Sequence, residues 1–180
     1  RGFSSAILLA PPQDVGQTGG HLVEDNLVER CTEQAILVVG DDSVVRRNRV
    51  LQTNNVAQTG AFGITAYDKV DVLDNLVSGV RSLNTVAAGL WIGAKTGGSI
   101  RGNLVRDVSR NGASGSIYGL YVGSSGERRT IRDNTFVGAA LPGSVGISCD
   151  SISNRAKGNT ILGFPTGRAG CRDDGNTIRP

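Results

Sequence analysis

Apolar and polar residues alternate in short runs along this chain, a period of two that is typical of β-strands and not of helices. One run recurs around an asparagine, with an apolar residue two positions after it in every copy. The central residues are Asn26, Asn48, Asn75, Asn103, Asn134, Asn159 and Asn176. They are separated by 22, 27, 28, 31, 25 and 17 residues. This spacing predicts one structural repeat of about 27 residues.

A second apolar run lies between the asparagine runs and keeps the same period. Its first apolar residues are Ile7, Ile36, Ile64, Leu90, Leu120 and Ile147. They advance by 29, 28, 26, 30 and 27 residues. Two runs with a shared period indicate one repeating unit of three short strands and turns, stacked in a row. Each strand would pair with its counterparts about 4.8 Å above and below.

The repeat assigns a direction to each apolar position. The residues expected to point inward as aliphatic ladders are Val45, Val72, Ile100 and Ile131 on the second strand and Val50, Val77, Val105 and Phe136 on the third. The asparagine lies where the second strand turns into the third, and we expect it to adopt the left-handed conformation and to bond the asparagine of the next coil. A leucine-rich repeat shares the period, but it needs further leucines on its convex side, where this chain has glycine-rich turns and another strand.

Composition supports the same fold class. The chain of 180 residues contains 26 glycines, and aromatic residues make up 4%. Glycine inside a helix costs about 1 kcal/mol relative to alanine, which argues against a helical bundle. The net charge of +3 is a mild basic bias with no run of five like charges, so we expect no nucleic acid partner. The longest apolar stretch is far shorter than the ~20 residues that a membrane span needs.

The pattern over residues 6–178 resembles the right-handed parallel β-helix of the pectin lyase-like superfamily. We therefore predict an all-β protein, a single-stranded right-handed parallel β-helix of about six coils with an Asn ladder, and one domain over residues 1–180. The superfamily includes polysaccharide lyases, glycoside hydrolases, phage tailspikes and noncatalytic adhesins. The resemblance implies a secreted, extracellular, cell-surface or virion-surface protein that handles acidic or complex glycans along one face.

The outer face of the first strand carries aromatic residues. Tyr67, Trp91 and Tyr121 are predicted to point outward on adjacent rungs, where they would contact sugar rings or, equally, a protein partner. A second stripe is basic. Arg46, Arg101, Arg132 and Lys157 occupy one position of the second strand, and Leu73 interrupts them. Arg101 and Arg132 are candidate ligands for carboxylates or sulfates, with solvated surface charge as the simpler interpretation.

Four aspartates are the candidate catalytic residues. Gly40-Asp41-Asp42-Ser43 resembles the paired aspartates of polygalacturonases, although no Gly-His-Gly or Arg-Ile-Lys motif follows. Asp68 and Asp71 flank the same turn one coil later, so the four carboxylates are expected to gather there. Such a cluster suits acid/base hydrolysis or a Ca²⁺ ion, and an ordinary acidic turn is the alternative. We expect no other cofactor.

The cysteines and the chain ends lead to two further predictions. Cys149 faces inward and Cys171 lies one coil further, so a disulfide would close the C-terminal end, and Cys31 is expected to be a buried free thiol. A β-helix exposes an open core at both ends, and no amphipathic capping helix is visible. We therefore expect a part of a longer protein, or an oligomer or flanking domain that covers the ends.

Two functions follow from these features. The first is an extracellular β-helix that recognises or processes a polysaccharide, as a lyase or glycoside hydrolase if it is an enzyme. The second is a noncatalytic structural repeat module, such as an adhesin, a stalk or a tail-fibre segment.

Overall fold

A computed structural model of the chain describes residues 5–10, 19–55, 59–93, 97–123 and 128–180. Within these residues there are 22 strands, numbered in chain order, and no helix. All of the strand pairs are parallel, and the strands that neighbour each other in a sheet belong to successive coils. The architecture is therefore a parallel β-solenoid, as the repeat predicts.

Each of the three sheets takes one strand from every coil. Sheet 1 consists of β1 (Ser5–Leu9), β4 (Gln34–Val39), β7 (Ala61–Tyr67), β10 (Ala87–Ile92), β14 (Ile117–Val122), β17 (Ser144–Cys149) and β20 (Thr166–Ala169). Sheet 2 consists of β2 (Leu22–Glu24), β5 (Ser43–Arg46), β8 (Val70–Leu73), β11 (Ser99–Arg101), β15 (Thr130–Arg132), β18 (Arg155–Lys157) and β21 (Arg172–Asp174). Sheet 3 consists of β3 (Leu27–Cys31), β6 (Arg49–Asn55), β9 (Leu76–Ser82), β12 (Leu104–Arg106), β16 (Thr135–Val137), β19 (Thr160–Leu162) and β22 (Thr177–Arg179), and β13 (Ser109–Arg110) also pairs with β9.

The predicted aliphatic ladders form the core. The eight residues expected to point inward on the second and third strands are all fully buried. On sheet 1, Ile36 pairs with Ile64, which pairs with Leu90, so the second apolar run is in register from coil to coil. Burying each of these side chains contributes about 2 kcal/mol, and the period of two makes any slip by one residue expose the whole ladder.

The Asn ladder is complete over all seven asparagines. In each pair the backbone N–H of one asparagine donates to the Oδ1 of the next, at 2.9–3.1 Å. The side-chain amide donates to the same Oδ1 at 2.7–3.0 Å. These bonds satisfy polar groups at a buried corner, since Asn48 and Asn159 are fully buried.

The left-handed residue at this corner is not the asparagine itself, so that expectation was wrong. The residue before each ladder asparagine has a φ between 54° and 68°. These residues are Asp25, Arg47, Asp74, Gly102, Asp133, Gly158 and Gly175. Because this preceding residue makes the turn, the asparagine can direct both its N–H and its side chain along the solenoid axis.

Cysteines confirm the expected arrangement at the C-terminal end. Cys149 and Cys171 form a disulfide between β17 and the corner before β21, with a Cα–Cα distance of 5.2 Å. Cys31 is a buried free thiol, and burial raises its pKa. The disulfide joins the last two rungs of the solenoid.

Candidate functional site

The outer face of sheet 1 carries a contiguous row of four aromatic rings. Trp91 stacks on Tyr121 of the next rung, with ring centroids 4.1 Å apart and an angle of 22° between the planes. Phe62 of the preceding rung meets Trp91 edge-to-face at 5.2 Å, and Tyr118 lies 5.3 Å from Tyr121. The row spans three rungs, about 10 Å along the axis.

This packing changes how Trp91 and Tyr121 meet a ligand. Both residues point outward as expected, but they are half-buried because neighbouring rings cover them. With a ring on each side along the axis, Trp91 has no face left to lie flat on a sugar. The stack presents the outer edges of its rings instead.

Tyr67 is the most exposed of the three aromatic candidates. It lies two positions along the strand from the Trp91 column, and 36% of its surface is exposed. Its ring lies over Gly93, where an added Cβ would approach Tyr67 Cδ1 to 2.0 Å. A side chain at position 93 would therefore clash with the Tyr67 ring, and the glycine there leaves room for this ring beside the aromatic row.

One carboxylate belongs to this aromatic face. Tyr121 donates its hydroxyl proton to Asp150 Oδ2 at 2.7 Å. Burial of the phenol and this hydrogen bond raise the pKa of Tyr121 to about 12. Asp150 is exposed and keeps lone pairs that can accept a hydrogen bond from a sugar hydroxyl.

Three of the four candidate catalytic aspartates lie around one lysine. Lys69 Nζ is 2.7 Å from Asp42 Oδ1, and the Lys69 backbone N–H donates to Asp41 Oδ1 at 3.1 Å. Asp71 accepts a 2.6 Å hydrogen bond from the Ser99 backbone N–H. Asp42, Lys69 and Asp71 line a small depression of about 140 Å³ at the corner between sheets 1 and 2. The aspartates raise the pKa of Lys69, the hydrogen bond to Asp42 most of all.

The fourth aspartate has a different environment. Asp68 is 3% exposed, and its φ of 70° makes the turn out of β7. Arg129, which is 1% exposed, donates to the carbonyl oxygens of Asp68 and Gly93 at 3.1 and 3.2 Å. Burial lowers the pKa of Arg129, and the negative charge of Asp68 opposes that shift. Asp68 therefore balances a buried guanidinium inside the corner.

Within the described ranges, no group of three or more His, Cys, Asp or Glu side chains is placed to hold a metal ion.

The basic column of sheet 2 has the register that the sequence predicts. Arg101 pairs with Leu73 on one side and with Arg132 on the other. At the two ends of the column, Arg46 bonds Glu24 at 2.7 Å and Lys157 lies 4.0 Å from Asp174. In the described part of the chain, Arg101 and Arg132 are exposed and form no ion pair, which leaves them available to an anion.

The three groups of candidate residues do not form one site. The aromatic residues lie on sheet 1, the aspartates at the next corner, and the arginines on sheet 2. A single ligand that followed one face would therefore meet only one of the groups.

A further cavity lies on sheet 3, which the sequence-based predictions did not consider. It measures about 530 Å³ and lies where the strands β3, β6 and β9 bend. The fourth residue after each of the first four ladder asparagines is left-handed: Arg30, Gln52, Gly79 and Asp107. These four positions therefore also repeat with the coil in the sequence. Only Gly79 and Asp107 are residue types typical of a turn, so the residue types alone do not reveal the repeat.

Comparison with family models, with curated proteins and with solved structures finds no match. The fold and these surfaces define a parallel β-solenoid, and membership of the pectin lyase-like superfamily stays a prediction. Among the described residues no helix is long and apolar enough to cross a membrane.

Proposed function

We propose that this protein is a polysaccharide-binding β-solenoid that holds an extended sugar chain along the outer face of sheet 1. The observation that carries the proposal is the aromatic row across three rungs, flanked by the exposed ring of Tyr67 and by the carboxylate of Asp150. Carbohydrate sites combine apolar ring surface with a few fixed polar groups that orient the ligand.

The geometry supports binding of a polysaccharide more directly than its cleavage. The carboxylates of Asp41, Asp42 and Asp71 bond Lys69 and a backbone amide, so each already has a structural partner. Asp150 is bonded to Tyr121 and belongs to the aromatic face. We therefore assign the sugar contacts to Tyr67 and the edges of the Trp91 and Tyr121 rings, with Asp150 accepting from a hydroxyl.

The proposed location is outside the cell or on a cell or virion surface. Disulfides persist in oxidising compartments, and the Cys149–Cys171 bond fits such a setting.

A noncatalytic structural module is the second candidate. The unbroken Asn ladder and the three continuous sheets favour it, because both features stiffen the solenoid whether or not a ligand binds. In that case the aromatic row would be an interface for another protein.

Fluorescence of Trp91, the only tryptophan of the chain, distinguishes the two functions. We expect oligogalacturonate, alginate or xylan oligomers to shift its emission. Tyr67→Ala should weaken binding of the active oligomer about fivefold, since an aromatic contact contributes about 1 kcal/mol. Binding is measured by isothermal titration calorimetry on the folded variants.

Leu104→Ala on sheet 3 is the matched control, because Leu104 and Tyr67 expose similar fractions of their surfaces, 37% and 36%. It should bind like the unmodified protein. If no oligomer of the panel changes the emission of Trp91, the polysaccharide proposal fails and the structural module is favoured.

A further inference from the structure

The bend of sheet 3 forms a polar groove that none of the functions above uses. The residues that line it are Arg30, Cys31, Thr32, Gln52, Asn54, Gly79 and Arg81. They come from three successive coils, because Glu29 pairs with Leu51 and Leu51 pairs with Ser78. The groove therefore runs along the solenoid axis.

The lining is basic and rich in hydrogen-bond donors. It contains two guanidinium groups, two side-chain amides and a hydroxyl, and no carboxylate is among the lining residues. Within the described ranges Arg30 and Arg81 form no ion pair, and Arg81 Nε donates to Ser109 Oγ at 3.2 Å. Arg81 can still use its two terminal nitrogens to bond an anion.

Acidic residues next to the groove do not cancel this charge. Asp107 follows Gly79 in the left-handed column, and it accepts a 2.9 Å hydrogen bond from Ser78 and lies 3.6 Å from Arg106. Glu29 is exposed on the strand before the bend and is not part of the lining. The two lining arginines thus remain the dominant charges inside the groove.

The spacing of the two arginines limits the ligand. Arg30 lies on the first of the three coils and Arg81 on the third, so the strands that carry them are about 10 Å apart along the axis. A linear molecule with repeated anionic groups matches this spacing better than a single small anion.

The backbone supports a role for these side chains. Arg30 and Gln52 are left-handed, with φ of 59° and 62°, at a position where Gly79 adopts the same conformation without a Cβ clash. This conformation is unfavourable for a residue with a side chain. Long polar side chains are therefore kept on the groove floor at the expense of stability.

We propose that this groove binds an acidic saccharide. Its carboxylate or sulfate groups would pair with Arg30 and Arg81, and Gln52 and Asn54 would bond its hydroxyls. Single-stranded nucleic acid is a poorer match, because the lining has no aromatic ring on which a base would stack. The groove lies on a different sheet from the aromatic row, so this inference stands whether or not sheet 1 binds a sugar.

Calorimetry at low ionic strength with four probes tests the inference: oligogalacturonate, dextran sulfate, neutral dextran and oligo(dT). We expect one of the two acidic saccharides to bind and neutral dextran not to bind. The double variant Arg30→Gln, Arg81→Gln should lose at least tenfold in affinity. Glutamine is compatible with the backbone at position 30 because Gln52 already adopts that conformation one coil on.

The control variant Arg172→Gln, Arg179→Gln removes the same charge from exposed positions on β21 and β22, far from the groove, and should keep its affinity within about twofold. An equal loss in both double variants would show nonspecific attraction and overturn the inference. Absence of binding by both acidic saccharides, or tighter binding of oligo(dT), would also overturn it. Thermal unfolding confirms that each variant is folded, and Arg81→Gln alone replaces the double variant if that one is not.

This result is independent of the proposed function. Binding in the groove should leave Trp91 emission and the affinity of Tyr67→Ala unchanged. Binding on sheet 1 should shift Trp91 emission and weaken about fivefold in Tyr67→Ala. The two proposals can therefore fail separately.

Discussion

The corner between sheets 2 and 3 depends on single residues in two adjacent roles. The first residue turns the chain in the left-handed conformation, and the asparagine after it bonds the next coil. Glycine and aspartate, which adopt this conformation readily, fill six of the seven turning positions, and Arg47 is the exception. Arg47 forms ion pairs with Glu24 and Asp25 at 2.7 and 2.8 Å, and this contact lowers the pKa of Asp25.

Arg129 shows what residue types alone do not reveal. It bonds the carbonyl of Asp68, 61 positions away, whereas Asp68 was a catalytic candidate because it and Asp71 flank the turn that lies one coil after Asp41 and Asp42. Only the folded corner shows that Asp68 is buried beside a guanidinium while the other three carboxylates surround Lys69.

Tyr121 gives a prediction at the residue scale. Its folded pKa of about 12 lies above the usual value of a phenol, because burial and the bond to Asp150 favour the protonated form. The stabilising contribution is therefore complete below pH ~10 and is lost as the pH rises through ~12. Ultraviolet titration should show one of the three tyrosines ionising near pH 12.

Two variants check the cause of that shift. Tyr121→Phe should remove the late titration step, and Asp150→Asn should move it to lower pH, because the amide lacks the negative charge that disfavours tyrosinate. A late step that persists in Tyr121→Phe would contradict the assignment.

At the scale of elements, the strands and their register follow from the sequence, but the close approach of sheets 1 and 3 does not. Five strands of sheet 1 have a glycine as their second or third residue: Gly63, Gly89, Gly119, Gly146 and Gly167. An added Cβ at Gly89 would lie 2.2 Å from Val105 Cγ1 and 2.9 Å from the Gly119 carbonyl oxygen. The glycines are thus required by packing against the opposite sheet, which no local pattern reveals.

The Asn ladder gives a prediction about how coils are joined. Asn103 accepts two hydrogen bonds from Asn75 and donates to Val72 O and to Asn134 Oδ1, and it is buried. Asn103→Ala would leave the Asn75 donors and the Val72 carbonyl without these partners. We expect a loss of about 3 kcal/mol in the free energy of unfolding, measured by urea denaturation.

Asn26→Ala is the matched control. Asn26 lies at the first rung, where its side chain donates to Glu24 O and Asn48 Oδ1 and, among the described residues, accepts no bond, so its loss leaves no described N–H without an acceptor. It should cost less than half as much as Asn103→Ala. Equal costs would mean that the ladder bonds are not what stabilises the corner.

For the molecule as a whole, the last described coil differs from the others because it carries charged residues at positions that are apolar in the preceding coil. In the last coil Arg168 pairs in register with Ile147, and Asp173 pairs with Ala156. Both therefore occupy inward positions, and Arg168 Nε lies 3.9 Å from Asp173 Oδ2. Inward charges of this kind oppose the addition of another coil by edge pairing. An ion pair and a disulfide thus both lie at the last coil, and the expectation that an oligomer or a flanking domain covers the ends stays a prediction.

The disulfide gives a prediction about this end. Cys149 and Cys171 are 22 positions apart, and closing a loop of that length contributes about 3 kcal/mol. The double variant Cys149→Ala, Cys171→Ala should expose the amides of β20, β21 and β22 to hydrogen exchange, while β4 to β12 stay protected. A solenoid behaves this way because each coil contacts only its neighbours.

Cys31→Ala, which keeps the disulfide, is the comparison for that experiment. It removes a buried thiol near the other end and should leave exchange in β20, β21 and β22 unchanged. Uniform loss of protection in the disulfide variant would show that the coils unfold as one unit.

The local periodicity of the sequence is sufficient to predict the solenoid, its three strands per coil, the inward ladders and the asparagine corner, because each of these features repeats with the coil. The repeat also predicts that Trp91 and Tyr121 lie in one outward column. That their rings cover each other, that the charge of Asp68 acts on Arg129, and that Arg30 and Arg81 line one groove are visible only in the folded structure. These features depend on contacts between side chains of different coils and on where a sheet bends, and the periodicity of the sequence predicts neither.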